Sequence, residues 1–292
     1  MDGNDFRAIL AGRGPTLLPG VWDGLSARAA VAQGFDTLFL SGYALAGTML
    51  GLPDVGYLTQ TEVADAARRV CAAAPTAAVV VDGDTGYGNA LNVARTVELW
   101  EAAGAAGIFL EDQVFPKRCG HMAGKEVVPT GEWLAKLRSA LATRDHLFVC
   151  ARTDARAPHG LDAAIERGRV AADHGVDAVF VEAPQSLDEL AAVGDALGDR
   201  GVTLVANMVE SGHTPLLTPD ELGDLGFGLV VSPVTALFGV AAILGDVYGH
   251  LQRTGTARDR LDDLVAFDEF TDLVDLPGHR ARDLPVDEPP GA

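Results

Sequence analysis

The feature that most constrains this chain is a regular alternation of short apolar runs with longer alanine-rich segments. Eight runs of four or five residues, rich in Val, Leu, Phe and Ala, fall at 17–21, 37–40, 78–82, 107–111, 147–151, 178–182, 203–206 and 229–232. Such runs read as strands buried on both faces. The segments between them have helical period, at 26–33, 61–73, 92–103, 130–142, 161–174, 187–197 and 219–225. Thr61, Thr130 and Thr218 stand where N-caps are expected, and Gly34, Gly104, Gly175 and Gly226 stand near the helix ends. Strands that alternate with helices build a parallel sheet, and eight of them close most simply into a (β/α)8 barrel. An open doubly wound sheet is the rival, but the glycine-rich stretch Asp84-Thr85-Gly86-Tyr87-Gly88-Asn89 is neither a dinucleotide fingerprint nor a Walker A loop. The expected organisation is one barrel domain with a helical extension over residues 1–275. The extension has helices at 236–251, 254–264 and 267–273, and a disordered tail rich in Pro, Asp and Arg covers 276–292.

The polar residues are placed unevenly. Asp23, Ser41, Gly42, Asp82, Asp84, Glu111, Asp112, Arg152, Asp154, Glu182, Asn207, Glu210 and Ser232 all close or follow a strand, whereas the strand bodies are apolar. A parallel barrel builds its active site at that end. Asp82 and Asp84, two apart on extended chain, can share a face, and with Glu111 on the next strand they offer three carboxylates to one region. Acids so placed raise one another's pKa unless a cation resolves the repulsion. Mg²⁺ (or Mn²⁺) suits an all-oxygen set, and hydrogen-bonded helix caps are the plainer alternative. Arg152 can clamp a carboxylate bidentately or pair structurally with Glu182. Asn207 and Ser41 offer neutral hydrogen bonds, and Trp22 at the end of the first strand can cover a ligand.

The stretch from Glu111 to His121 concentrates chemistry. Two acids are followed by Lys117, Arg118, Cys119, Gly120 and His121, so the thiol lies among positive charges that favour its thiolate. A solvated loop with an incidental cysteine is the bland reading. The segment 113–127 is longer than a barrel loop requires, and Gly120 and Gly124 can act as hinges of a lid. A metal, a carboxylate clamp and a covered thiol together suit a 2-oxo or 2-hydroxy acid, with the metal stabilising an enolate or alkoxide and the thiol moving a proton. Cys71 and Cys150 read as buried fillers, Trp100 and Trp133 as packing, and His146, His159, His174 and His213 as surface or helix-end residues.

A net charge of −19 argues against nucleic acid and anionic membranes as partners, and no apolar run reaches the length of a membrane span. With a polar N-terminus and three widely spaced cysteines, a reduced cytoplasm is the expected compartment.

The sequence Asp82-Gly-Asp-Thr-Gly-Tyr-Gly-Asn89, with Glu111-Asp-Gln and Lys117-Arg-Cys-Gly-His121, resembles the isocitrate lyase/phosphoenolpyruvate mutase superfamily. Ser41-Gly-Tyr43, Leu52-Pro-Asp54, Ala151-Arg-Thr-Asp154 and Asn207-Met-Val-Glu210 extend the resemblance from about Trp22 to Leu251. It implies a Mg²⁺-dependent barrel, commonly a homotetramer that exchanges a C-terminal helix between subunits. It further implies that Asp82, Asp84, Glu111 and Asp54 hold the metal, partly through water. Ser41, Gly42, Tyr43, Arg152, Glu182, Asn207, Gly120 and His121 would contact a small dicarboxylate or 2-oxo acid. In the superfamily's carbon–carbon lyases the loop cysteine, here Cys119, protonates the departing carbanion, with Arg118 and His121 beside it. Phosphonopyruvate mutase and hydrolase lack that cysteine. Val181-Glu-Ala-Pro184 and Pro233-Val-Thr-Ala236 resemble most the 2,3-dimethylmalate lyase/oxaloacetate hydrolase group. Methylisocitrate lyases carry a tyrosine where Phe39 stands and an arginine near Phe238, so a third carboxylate arm would be poorly held here. The base is left open among Tyr43, Glu182 and a metal-activated water. The implied activity is cleavage of a 2-hydroxy or 2-alkylmalate-type diacid to a 2-oxo acid and a carboxylic acid. Oxaloacetate hydrolysis, carboxyphosphonoenolpyruvate phosphonomutase chemistry and a non-catalytic acid-binding barrel are the alternatives.

Overall fold

The computed structural model describes residues 1–283 apart from His121 and Ala123. Eight parallel strands close into a barrel in sequence order: β1 (Thr16–Val21), β2 (Thr37–Leu40), β3 (Ala78–Asp82), β4 (Gly107–Glu111), β5 (Phe148–Thr153), β6 (Ala178–Val181), β7 (Thr203–Asn207) and β8 (Leu229–Ser232). β1 pairs with both β2 and β8, so no edge is left open. β5 runs two residues further than its apolar pattern indicates, because Arg152 and Thr153 stay in register with Phe180 and Val181.

Period-two alternation sorts the strand residues into two cores. Val79, Val81, Ile108, Leu110, Val149, Ala151 and Leu204 face outward onto the helices. Leu18, Phe39, Val80, Phe109, Cys150, Phe180, Val205 and Val231 fill the barrel. A helix that the apolar rhythm does not reveal, Gly3–Gly12, is started by an Asp2/Asp5 capping box and sends Phe6 into the barrel's lower end, edge-on to Phe148 at 4.9 Å.

The main surrounding helices are Gly24–Ala32, Gln60–Ala73, Ala90–Ala103, Thr130–Thr143, Leu161–Asp173, Leu187–Leu197 and Pro219–Asp224. Two expected caps are corrected. Thr59, not Thr61, caps Gln60–Ala73, because its hydroxyl and the Glu62 side chain complete a capping box; Thr130 is already helical after Pro129. Thr218 caps as expected.

The chain divides into two compact units, Met1–Gly239 and Val240–Ala292, and the helix Thr235–Thr254 runs through the boundary. Within the second unit follow a 3-10 turn at Arg258–Asp263, where a helix over 254–264 was expected, and the helices Phe267–Leu273 and Leu276–Arg282. Arg260, bound to Asp246 and Asp263, fixes the 3-10 turn. The last helix falls in the stretch expected to be disordered; Asp275 caps it onto Gly278 and Pro277 lies in its first turn, where no N–H is needed. The remainder of that expected tail, 284–292, lies outside the described residues.

Candidate active site

The same pleat that sorts the core also places the site. One step of two residues beyond the interior residues Phe39, Val80, Phe109, Cys150, Phe180 and Val205 come Ser41, Asp82, Glu111, Arg152, Glu182 and Asn207. Six strands therefore raise a polar ring directly above an aromatic floor, and Phe109 packs on both Phe39 and Phe180, with centroids 5.0 and 5.8 Å apart. Above the ring opens a cavity of about 220 Å³, room for a small acid. Its lining includes Ser41, Tyr43, Asp54, Asp82, Lys117, Cys119, Gly120, Arg152, Glu182 and Asn207, with an apolar side of Val209, Val234 and Phe238.

Arg152 organises one half of the mouth. Its Nε and Nη2 donate to Asp154 at 3.0 and 3.1 Å, Nη1 lies 3.4 Å from Glu111, Nη2 lies 3.4 Å from Glu182, and the guanidinium stacks over Phe180. Asn207 donates from Nδ2 to Glu182 at 3.4 Å, and its Oδ1 is buried with no hydrogen-bond partner. Behind Arg152, Asp112 accepts from Thr153, the Asp154 N–H and Arg167 at 2.6, 2.8 and 2.9 Å. Burial alone would raise the Asp154 carboxyl; Arg152 and then Lys125 more than reverse this and leave it at about 2.

The other half is built around Lys117. Its ammonium lies 2.6 Å from Asp54 and 2.7 Å from Asp84. Desolvation opposes this charge, but Asp84, Asp54, Asp82 and Glu111 together hold the lysine well above its ordinary pKa. Asp84 takes a left-handed backbone (φ 45°), which Asp tolerates better than most residues, and its N–H donates to Asp82 at 3.0 Å. Burial pushes the Asp84 carboxyl up to about 7 despite Lys117. It also pushes Glu111 well above the ordinary range despite Arg152, and Glu111 Oε1 is buried without a hydrogen-bond partner.

The three carboxylates expected to converge do not form a direct cage: among the described residues, no group of three or more His, Cys, Asp and Glu side chains could hold an ion. The Lys117 ammonium stands between Asp54 and Asp84, and Glu111 leans on Arg152. The donor set nevertheless fits a hydrated divalent ion. Carboxylates outnumber cations in this half of the mouth, two are held above their usual range, and one has an unused buried oxygen. Mg²⁺ keeps several waters and needs few direct protein ligands.

The thiol segment lies over the mouth. The Gln113–Val127 bridge and the 2.8 Å bond from Val128 N to Asp112 O pin its base. Gln113 clasps the Arg118 backbone from both sides, through Nε2 to O at 2.8 Å and N to Oε1 at 2.9 Å. Cys119 N donates to Asp54 O at 3.2 Å, and the thiol, half-buried, lines the cavity. A Cβ on Gly120 would come within 2.5 Å of Glu182 Cδ and 2.7 Å of Arg152 Nη2, so only glycine permits this approach. Gly124 has φ +76° and lies against Arg118. Burial, then the charges of Cys119 and Asp54, raises the Tyr43 hydroxyl above its ordinary pKa, and its ring meets Phe238 edge-on at 6.3 Å.

Some expected site residues fall elsewhere. Trp22 lines a separate cleft with Leu45, Thr48 and Met49, because β1 ends at Val21 and the Asp23/Ser26 capping box turns the chain outward. Arg118 is not among the residues lining the cavity; its backbone N–H donates to Gln113, and its guanidinium lies against Gly124. Gly42 packs on Asp82, where a Cβ would meet Oδ2 at 2.9 Å, in a short helix capped by Ser41. His121 lies outside the described residues. Two buried lysines escaped a reading based on strand ends: Lys117 as the centre of the acidic half, and Lys125, paired with Asp154. Only Lys117's place in the charged loop hinted at either.

A closed parallel barrel with a buried ion-paired arginine, an acidic half and a thiol around one cavity at the C-terminal ends of its strands has the layout of a barrel enzyme. The chain belongs to the family described as phosphoenolpyruvate phosphomutase, whose model matches residues 6–247, and thus to the isocitrate lyase/phosphoenolpyruvate mutase superfamily of lyases and mutases. It is 48% identical over 274 residues to Petal death protein of Dianthus caryophyllus, covering 93% of this chain and 85% of that one. It is also 48% identical over 277 residues to Carboxyvinyl-carboxyphosphonate phosphorylmutase, chloroplastic, of Arabidopsis thaliana (93% and 80% covered). To 2,3-dimethylmalate lyase of Eubacterium barkeri it is 40% identical over 273 residues (93% of each). The structure of oxaloacetate acetylhydrolase with the inhibitor 3,3-difluorooxalacetate superposes with a TM-score of 0.91 at 34% identity, covering 96% and 95% of the two chains. Phosphonopyruvate hydrolase with oxalate and Mg++ superposes at 0.84 and 28%, covering 97% of each. Among the described residues no helix is long and apolar enough to cross a membrane.

Proposed function

We propose that this protein is a Mg²⁺-dependent carbon–carbon lyase that cleaves a 2-alkylmalate-type diacid to a 2-oxo acid and a carboxylic acid. The observation that carries the reading is the Cys119 thiol lining the same cavity as Arg152, beside an apolar side formed by Val209, Val234 and Phe238. Arg152 takes a substrate carboxylate, and Ser41 and Asn207 supply hydrogen bonds. Asp82, Asp84, Glu111 and Asp54 would hold the ion, partly through water. When bound, it supplies charge stabilisation to the developing oxo-acid oxygen. Glu182, which lines the cavity 3.4 Å from both Arg152 and Asn207, is assigned as the side chain that accepts the proton of the 2-hydroxyl. As the C2–C3 bond breaks, its electron pair passes to the leaving carboxylate's α-carbon, and the Cys119 thiol protonates that carbon. The proton on Glu182 then returns to the thiolate through solvent.

The cavity's only lining guanidinium among the described residues is Arg152, and Phe39 and Phe238 are neutral, so the third arm of a tricarboxylate meets no second guanidinium. Hydrolysis of oxaloacetate at the same site is the second reading, favoured by the likeness to oxaloacetate acetylhydrolase. The similarity to the Arabidopsis phosphorylmutase supports a third, phosphorus-transfer reading. The second unit exposes Ile243, Tyr248, Val265 and Phe267, which supports a homo-oligomer that covers them. A cytoplasmic location remains part of this proposal.

The test is ¹H NMR with Mg²⁺, and with EDTA as control, on a panel of 2,3-dimethylmalate, other alkylmalates, oxaloacetate and methylisocitrate. Pyruvate from an alkylmalate supports the lyase, whereas oxalate and acetate from oxaloacetate alone replace it with the hydrolase. Cys119→Ser is expected to lower kcat by roughly 10²–10⁴-fold; undiminished turnover would sink the thiol's assigned role.

A further inference from the structure

We infer that Lys125 is a positioning residue that ties the thiol segment to the substrate clamp through Asp154, and so sets where Cys119 stands relative to Arg152. This rests on the lyase reading only for what Cys119 does; the coupling itself rests on geometry. Lys125 lies at the far end of the segment, yet its side chain is 1% exposed and that of Asp154 not at all. A lysine is buried so completely only where partners take over from water, because an unpaired buried ammonium is costly. Nζ has two such partners: Asp154 Oδ1 at 2.8 Å and the backbone oxygen of Gly120, at a short distance. The first belongs to the clamp and the second to the residue that follows Cys119.

Asp154 Oδ1 is shared. It accepts from Lys125 and from Arg152 Nη2 at 3.1 Å, while Oδ2 accepts from Arg152 Nε at 3.0 Å. The guanidinium's position and the ammonium's position are thus fixed against one carboxylate. That carboxylate is itself held, because its backbone N–H donates to Asp112, which is bound to Arg167. Gly120 closes the circuit from the other side, since its α-carbon packs on the Glu182–Arg152 pair too closely for any Cβ. The segment therefore touches the clamp twice, through Gly120 packing and through the Lys125 ammonium, and Cys119 is carried between these contacts and its own bond to Asp54. A lysine placed only for stability would not need to direct a donor to the backbone beside the reactive thiol.

Removing the ammonium leaves Asp154 still forked by Arg152, so a bound carboxylate keeps its clamp. Gly120 loses its tether, so the thiol loses its place. The expected result is a split between kcat and KM. In Lys125→Met and in Lys125→Gln, kcat falls roughly 10–100-fold while KM changes less than about threefold. The second measurement needs no substrate: iodoacetamide alkylation followed by peptide mass mapping. Cys119 is expected to react about tenfold faster in both variants, while Cys71, on the helix Gln60–Ala73, and Cys150, buried in the barrel beneath Arg152, keep their wild-type rates and serve as internal controls. Adding Asp154→Asn to Lys125→Met should change Cys119 alkylation little further, because both act through one link. Wild-type alkylation at Cys119 in both Lys125 variants overturns the inference. So does an equal acceleration at all three cysteines, which marks general loosening. If no panel substrate turns over while Cys119 alkylation still rises selectively, the lyase reading falls and the tether stands.

Discussion

The two halves of the barrel mouth hold similar residues in opposite electrostatic states. On the β5–β6 side, Arg152, Lys125 and Arg167 meet Asp154, Asp112 and Glu182 in a dense set of ion pairs, and Asp154 is held down at about 2. On the β3–β4 side, Asp54, Asp82, Asp84 and Glu111 share Lys117, Asp84 is pushed up to about 7, and Glu111 keeps an unused buried oxygen. Burial is common to both halves, so the difference lies in the supply of cations. The first half is preorganised and can receive an anion without rearranging its charges. The second is short of positive charge, the lack that the proposed Mg²⁺ would make good. A 2-hydroxy or 2-oxo acid, with a carboxylate and a neighbouring oxygen, spans such a pair of half-sites.

The largest expected effect comes from breaking the preorganised half. Arg152→Lys keeps the charge but loses the fork that reaches Asp154 and Glu182 together. We expect kcat/KM to fall roughly 10³-fold, since a misplaced clamp misaligns the reacting atoms as well as weakening binding. Steady-state pyruvate release measures it; a loss below tenfold would mean the fork is not the clamp. The second half is probed by its cation. Mg²⁺ at about 100 times its Kd adds about 2.7 kcal/mol to stability, or roughly 5–10 °C in Tm for a chain of this size. Thermal denaturation should show this in the wild type and much less in Asp82→Asn, while Arg152→Lys keeps the Mg²⁺ shift. Equal shifts in all three proteins would erase the distinction between the halves.

How far this was legible follows from which interactions are local. Strand positions show in β-branched runs and strand ends in the first polar residue, so β2, β3, β4 and β8 carry the expected bounds. The interior alternation then carries Ser41, Asp82, Glu111, Arg152, Glu182 and Asn207 to one ring by simple counting. Counting stops where the chain leaves the strand. Trp22 is one residue past β1, and a capping box, not the pleat, decides its direction. Lys125 lies 29 residues from its partner Asp154, and no local pattern joins them. Lys117 was hidden for the same reason: it enters between Asp54 and Asp84 from a loop whose path is set by tertiary contacts. The helix Gly3–Gly12 was hidden because its signal is an Asp2/Asp5 capping box on a short segment.

The smallest effect is read in stability against pH, and it sharpens the comparison by isolating one carboxylate of the paired half. An unfolded aspartate titrates near 3.9, whereas Asp154 is held at about 2. A group with a depressed folded pKa stabilises the fold above its unfolded pKa and loses that contribution as pH falls through its folded value. Asp154 should therefore contribute in full above about pH 5, and its contribution of roughly 2.6 kcal/mol should be lost progressively as pH falls to and below 2. Asp154→Asn removes the titrating group while keeping its shape, so the difference in urea midpoint between wild type and variant should be largest near neutrality and shrink steadily below pH 5. A difference that stays constant from pH 7 to pH 3 would show that Asp154 holds Arg152 and Lys125 by shape and hydrogen bonding alone. The paired half would then take its order from packing rather than from the charge balance that sets it apart from the acidic half.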